Sequence, residues 1–179
     1  MSTISRIPSS YDPLFIRDQA GVTNHFGYSP DGTGGTSIVY PIEFFDAVQA
    51  VINNYDALYL AKRLVPAAIS RIADLRREKM QCVTIGGVTI QMDTATEAHL
   101  ASAVIGLERN PSVMGIDWEL APGKFETLSR DVVFALGDGA FMHVQGCFTY
   151  ARALTAKVQA CTTATELAAI DLTAGWPNE

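Results

Sequence analysis

Cysteine is scarce: three in 179 residues, Cys82, Cys147 and Cys161, with no closely spaced Cys or His pair. That excludes a disulfide framework and the usual zinc signatures. Cys147 and Cys161 fall on one helical face, but at ~1.5 Å of rise per residue they stand about 21 Å apart, too far to share a bridge or a metal. All three read as buried packing thiols, and no cofactor or metal is expected. Basic residues are also few: 13 Lys and Arg against 19 Asp and Glu give a net charge of −6. Nucleic acid is excluded as a partner, because phosphate binding needs a clustered basic field. The one basic run, Arg71 to Lys79, is interrupted by Asp74 and Glu78 and reads as a solvated helix face. No apolar run approaches the ~20 residues of a bilayer span, so no membrane partner is expected. Met1 to Ser10 lacks the apolar core of a secretory signal, which points to synthesis in a cytoplasm without export. Apolar residues, in contrast, are plentiful at 48%, with mean hydropathy +0.15, enough for a packed core. The length suits one domain with an appendage, or two small units.

The most regular stretch runs from Ser129 to Cys161. Val133, Gly137, Ala140, Val144, Cys147, Ala151, Leu154, Val158 and Cys161 alternate at four- and three-residue steps, a buried stripe on one long helix. Phe134, Phe141 and Phe148 follow stripe residues at seven-residue intervals and are expected to widen it into a packing or oligomer face. Gly137, Gly139 and Gly146 each cost roughly 1 kcal/mol relative to alanine in a helix, so a close neighbour is expected against them. The 95–108 helix or a symmetry mate would supply it.

Residues 1–40 lack such order. Pro8, Pro13 and Pro30 punctuate them, and Asp31-Gly-Thr-Gly-Gly-Thr36 is a turn. Without a lysine or a preceding strand, that loop does not read as a phosphate cradle. The segment still carries Ile4, Ile7, Tyr11, Leu14, Phe15, Ile16, Phe26 and Tyr28, more apolar bulk than a disordered linker holds. No period organises these residues into a core, so we expect an extended arm that docks them on a partner, with the chain's own body as the alternative cover.

Pro41 opens a helix to about residue 64 with Ile42, Phe45, Val48, Ile52, Tyr55 and Tyr59 on one side and a weak point at Asn53-Asn54. Pro66 opens another to about Met80. The pair, 41–80, reads as a helical connector suited to packing on a copy of itself. After residue 81 the period becomes two. Val83, Ile85, Val88 and Ile90 flank a Gly86-Gly87 turn, and Ile116, Trp118 and Leu120 pair back through Pro122-Gly123. Thr94-Ala-Thr-Glu97 and Thr163-Ala-Thr-Glu166 are capping boxes for helices of about 95–108 and near the C-terminus, and Ser129 caps the long helix. The expected class is α+β: an arm (1–40), a connector (41–80), and a domain (81–179) of two hairpins with one long and two shorter helices.

From about residue 76 to 177 the chain resembles an uncharacterised domain family of bacteriophages and prophages, often encoded beside or within tail-fibre genes. The likeness rests on Ile85-Gly-Gly-Val-Thr-Ile90 with Asp93-Thr94, Gly106, Trp118, Phe125-Glu-Thr-Leu-Ser129, His143-Val-Gln145 with Phe148, Ala160-Cys-Thr-Thr-Ala-Thr-Glu166-Leu167 and Gly175-Trp176-Pro177, in that order. The resemblance implies a phage-tail context and brings no catalytic residues.

Other clusters invite chemistry. His143 and Cys147, four apart on a helix, have metal-ligand spacing but no third ligand nearby. Asp117, Glu119 and Glu126 on adjacent strands would suit glycosidase-type acid–base work if they faced one another. Trp118 and Trp176 read as packing or oligomer anchors, Trp176 pinning the C-terminus. The expectation is a non-enzymatic structural protein of a phage tail, at the fibre or baseplate. It would be made in the host bacterial cytoplasm and would assemble as a homo-oligomer, taken as a trimer by analogy to fibres. A tail-fibre assembly chaperone is the alternative, and an enzyme acting on host glycan a third reading.

Overall fold

A computed structural model describes residues 1–85 and 87–177, without the side chains of Val88 and Ala121. The fold is α+β, and the chain divides into two compact units. Unit 1 is Met1–Ala67 with Cys161–Ala169, and unit 2 is Ala68–Ala160 with Ile170–Glu179.

Unit 1 opens with β1 (Ser2–Pro8), α1 (Pro13–Ala20), β2 (Gly27–Pro30) and β3 (Gly35–Pro41). The three strands form one antiparallel sheet in the order β1-β3-β2, with Ser2 opposite Pro41 and Pro8 opposite Gly35. The extended arm is therefore corrected: residues 1–40 fold. Ile7, Phe15 and Ile16 are at most 2% exposed, in one core with Ile38 and Tyr40. Only Ile4, Leu14 and Tyr28 of the expected docking set stand open, and Tyr11 and Phe26 are half-buried. The strand period was hidden because the buried positions of β1 include Ser5, whose hydroxyl bonds the Tyr40 hydroxyl and accepts from Gln49 Nε2 at 2.7 Å.

The connector is corrected as well. Its first half, α2 (Phe45–Asn53) and α3 (Tyr55–Tyr59), broken at Asn54, gives Val48, Val51 and Tyr55 to that same core. Tyr55 stacks on Tyr11 at 3.7 Å and takes a hydrogen bond from the Asp12 amide. The chain's own residues thus cover Val48, Val51, Ile52, Tyr55 and Tyr59, whereas Ile42 and Phe45 of the expected face stay 46% and 42% exposed. A π-helical turn, Leu60–Leu64, then leads into α4 (Val65–Met80). The short α7 (Ala164–Ala168) also belongs to unit 1, with Thr163 at its N-cap.

In unit 2, β4 (Cys82–Ile85) pairs with β5 (Val88–Gln91), and β6 (Gly115–Ala121) pairs with β7 (Lys124–Ser129). Gly86 of the expected turn lies outside the described residues, and Gly87 takes φ +83°. The α5 helix (Thr94–Arg109) is capped by Asp93, whose carboxylate accepts the Thr96 N–H, so the capping box at Thr94 is corrected by one residue. The 31-residue α6 (Arg130–Ala160) begins after Ser129, whose hydroxyl meets the Val132 N–H. Its buried line runs through Val133, Leu136, Ala140, His143, Cys147, Ala151, Leu154 and Val158. Leu136 and His143 thus replace Gly137 and Val144 of the expected stripe. Val83, Ile90, Leu100, Leu107 and Leu128 close the core.

Candidate docking surface

The helical glycines let α6 sit close to its neighbours. A Cβ on Gly137 would come within 2.8 Å of Val104 Cγ2 on α5, and one on Gly139 within 2.8 Å of Ile85 Cγ1 on β4. A Cβ on Gly146 would meet Pro177 Cγ at 3.0 Å. The close neighbours are all within unit 2, and no symmetry mate is needed.

Sixteen residues of α5 span about 24 Å and thirty-one of α6 about 47 Å, so α5 covers only part of the longer helix. Phe134, near the covered end, is half-buried against the core under the Arg130 guanidinium at 4.8 Å. Further along, Phe141 and Phe148 are 62% and 43% exposed, so the expectation that they widen the buried stripe is corrected. Met142 and Ile105 are exposed beside them, at 66% and 47%.

A groove of about 410 Å3 runs between α5 and α6, floored by Ala101, Val104, Ala140 and Val144 and walled by Ile105 and Phe141. Glu97 from α5 and Asp138 from α6 line it as well. Neither carboxylate has an ion pair among the described residues. The groove therefore suits an apolar segment that carries a cation at its edge. Phe141 and Val144 were visible in the helical pattern, whereas Glu97 showed only as a capping residue and Asp138 and Ile105 not at all, because only the crossing of the two helices brings them together.

The other sequence candidates are placed as follows. Trp176 is 2% exposed, donates its Nε1–H to Leu172 O at 2.9 Å and meets Tyr150 edge-on at 5.1 Å, so it pins the C-terminal segment inside unit 2. Trp118 packs half-buried on the core. Both are internal packing groups. His143 is 6% exposed and its Nε2–H donates to Lys79 O at 2.9 Å, with Cys147 Sγ 3.9 Å away. Burial pushes the Cys147 thiol up from its ordinary pKa, against the opposing charge of Lys79. Among the described residues no group of three His, Cys, Asp or Glu side chains is placed to hold a metal.

The three acids of the β6–β7 hairpin do not converge. Register sets Trp118 opposite Glu126, on one face, while Asp117 and Glu119 point to the other. Asp117 accepts from the Thr127 hydroxyl and Glu119 from the Gly123 amide, and Glu126 pairs with Lys124 at 3.3 Å. In unit 1 the Asp31 loop is the turn between β2 and β3. Asp31 accepts from the Thr33 amide and hydroxyl and from the Gly35 amide, each at 2.9 Å, and pairs with Arg6. Led by the Thr33 amide, these donors lower its pKa to about 2.

The fold and groove define an α+β protein with a partly open helical face. Over residues 63–174, more than half its length, the chain matches the family described as a domain of unknown function (DUF4376), and it belongs to that family. No curated protein and no solved structure matches it.

Proposed function

We propose that this chain is a non-enzymatic structural component of a bacteriophage tail, in the fibre or baseplate region, that acts by docking. The observation carrying the docking role is the α5–α6 groove, where Phe141 and Ile105 stand open to water beside Glu97 and Asp138, neither of which has an ion pair among the described residues. Full burial of such a side chain is worth roughly 1.5–3 kcal/mol, and about half of that remains to be gained at each of the two. Its occupant is a segment of a neighbouring tail protein bearing apolar side chains flanked by lysine or arginine. The tail context is supported by the ordered motifs from Ile85 to Pro177 that resemble the phage and prophage family. On this reading the chain is made in the bacterial cytoplasm, ends in the virion tail and assembles as a homo-oligomer, a trimer by analogy to fibres.

Mass spectrometry of purified particles tests the role. Detection of the chain at a fixed copy number supports it. Absence from particles, with the chain abundant in infected cells, would refute a virion role and give the groove to a tail-fibre assembly chaperone.

A further inference from the structure

A second groove, of about 540 Å3, opens between α4 and the C-terminal half of α6. Its floor is apolar, from Ile69, Ile72 and Ala151, and its walls present two arginines, Arg76 on α4 and Arg152 on α6. Neither arginine has an ion pair or a side-chain hydrogen bond among the described residues, and no acidic residue lines the groove. In a chain of net charge −6, two cations facing one cleft without a counter-ion mark a place where negative charge is missing.

Arg76 supplies an independent sign. Its Nε is buried and is the one buried side-chain nitrogen or oxygen without a hydrogen-bond partner among the described residues. Buried donors are nearly always satisfied, so this unmade hydrogen bond leaves the Arg76 guanidinium short of an acceptor. The guanidinium lies over the Phe148 ring at 4.4 Å, which fixes its plane and presents its fork in a defined direction. A planar fork of this kind matches a carboxylate better than a diffuse charge.

We infer that the α4–α6 groove binds an acidic peptide segment of a partner protein, with a carboxylate held between Arg76 and Arg152 and a neighbouring aliphatic side chain on the Ile69–Ile72 floor. The Ile69–Ile72 floor suits an aliphatic side chain, and Gln145, Thr149 and Thr155 along the groove offer hydrogen-bond partners to a peptide backbone, a combination that fits a peptide better than an anionic glycan. The inference deepens the docking reading and rests on it for the partner's being a protein.

The test uses the uniformly 15N-labelled full chain and follows the arginine Nε–H resonances by NMR. The probes are a ten-residue peptide of alternating glutamate and leucine, its glutamine analogue, and a sialic acid oligomer of equal charge. The glutamate peptide should shift the Arg76 and Arg152 signals saturably, and more weakly as salt rises. The glutamine peptide should leave them in place. Arg152→Glu should weaken binding at least ten-fold and Arg152→Lys by less, both with unchanged circular dichroism melts, because Arg152 is exposed. Phe141→Asp, in the other groove, should leave this titration unaltered, so its outcome is independent of particle association. No shift at millimolar glutamate peptide, equal binding by Arg152→Glu, or stronger binding of the sialic acid oligomer would overturn the assignment.

Discussion

Replacing Gly139 by alanine should destabilise unit 2, although alanine is the better helix former. The backbone gain is roughly 1 kcal/mol in favour of the variant. Against it, the new Cβ would stand 2.8 Å from Ile85 Cγ1, and closer still to Cδ1, so Ile85 must leave its place on the core. Overpacking of that kind costs ~1–3 kcal/mol, so the net loss should be about 1 kcal/mol. With Ile85→Ala already present the collision is gone and only the helical gain remains. Gly139→Ala should then stabilise by about 1 kcal/mol, a coupling of ~2 kcal/mol between the two positions. Urea unfolding followed by tryptophan fluorescence suits the measurement, because Trp118 and Trp176 both lie in unit 2. Two substitutions that simply add, within ~0.5 kcal/mol, would refute the close approach of β4 to α6.

Phe15→Ala should cost ~3–5 kcal/mol in the isolated chain, read from a circular dichroism melt, because Phe15 is fully buried in unit 1; an undocked arm would give no change. Asp31 should titrate near pH 2, below its ordinary 3.8. Its lowered pKa means that its contribution to unit 1 is complete above pH 3.8 and is lost as the pH falls through about 2. Carboxyl chemical shifts of the wild type and Asp31→Asn check this. Cys82, which is exposed, should react at once with a thiol reagent, whereas Cys147, buried and with a raised pKa, should react only as unit 2 opens.

Unit 2 was largely legible in the sequence because its signals are local. The hairpins at 82–91 and 115–129 show period two, Ser129 and the Asp93 region mark helix starts, and α6 shows its own stripe. Unit 1 was not, because β1 pairs with β3 at separations from Pro8–Gly35 up to Ser2–Pro41, far beyond a local turn, and hides a hydrogen-bonded Ser5 among its inward positions. Pro8, Pro13 and Pro30 read as punctuation of an extended arm, yet each sits at a strand end or helix start. Deleting residues 1–40 would therefore strip the core from Val48, Val51 and Tyr55 instead of removing a separate arm. Of the docking surface, the phenylalanine repeat was visible, but its exposure depends on where α5 ends, a tertiary fact.

Docking through the α5–α6 groove can be read by co-sedimentation with tail particles assembled in infected cells. Wild type, Phe141→Glu and Ala153→Glu would be compared, the last placing the same charge at an exposed site of α6 outside both grooves. Wild type and Ala153→Glu should travel with the particles, and Phe141→Glu, folded by circular dichroism, should stay behind. Phe141→Glu found on particles at the wild-type level would contradict it.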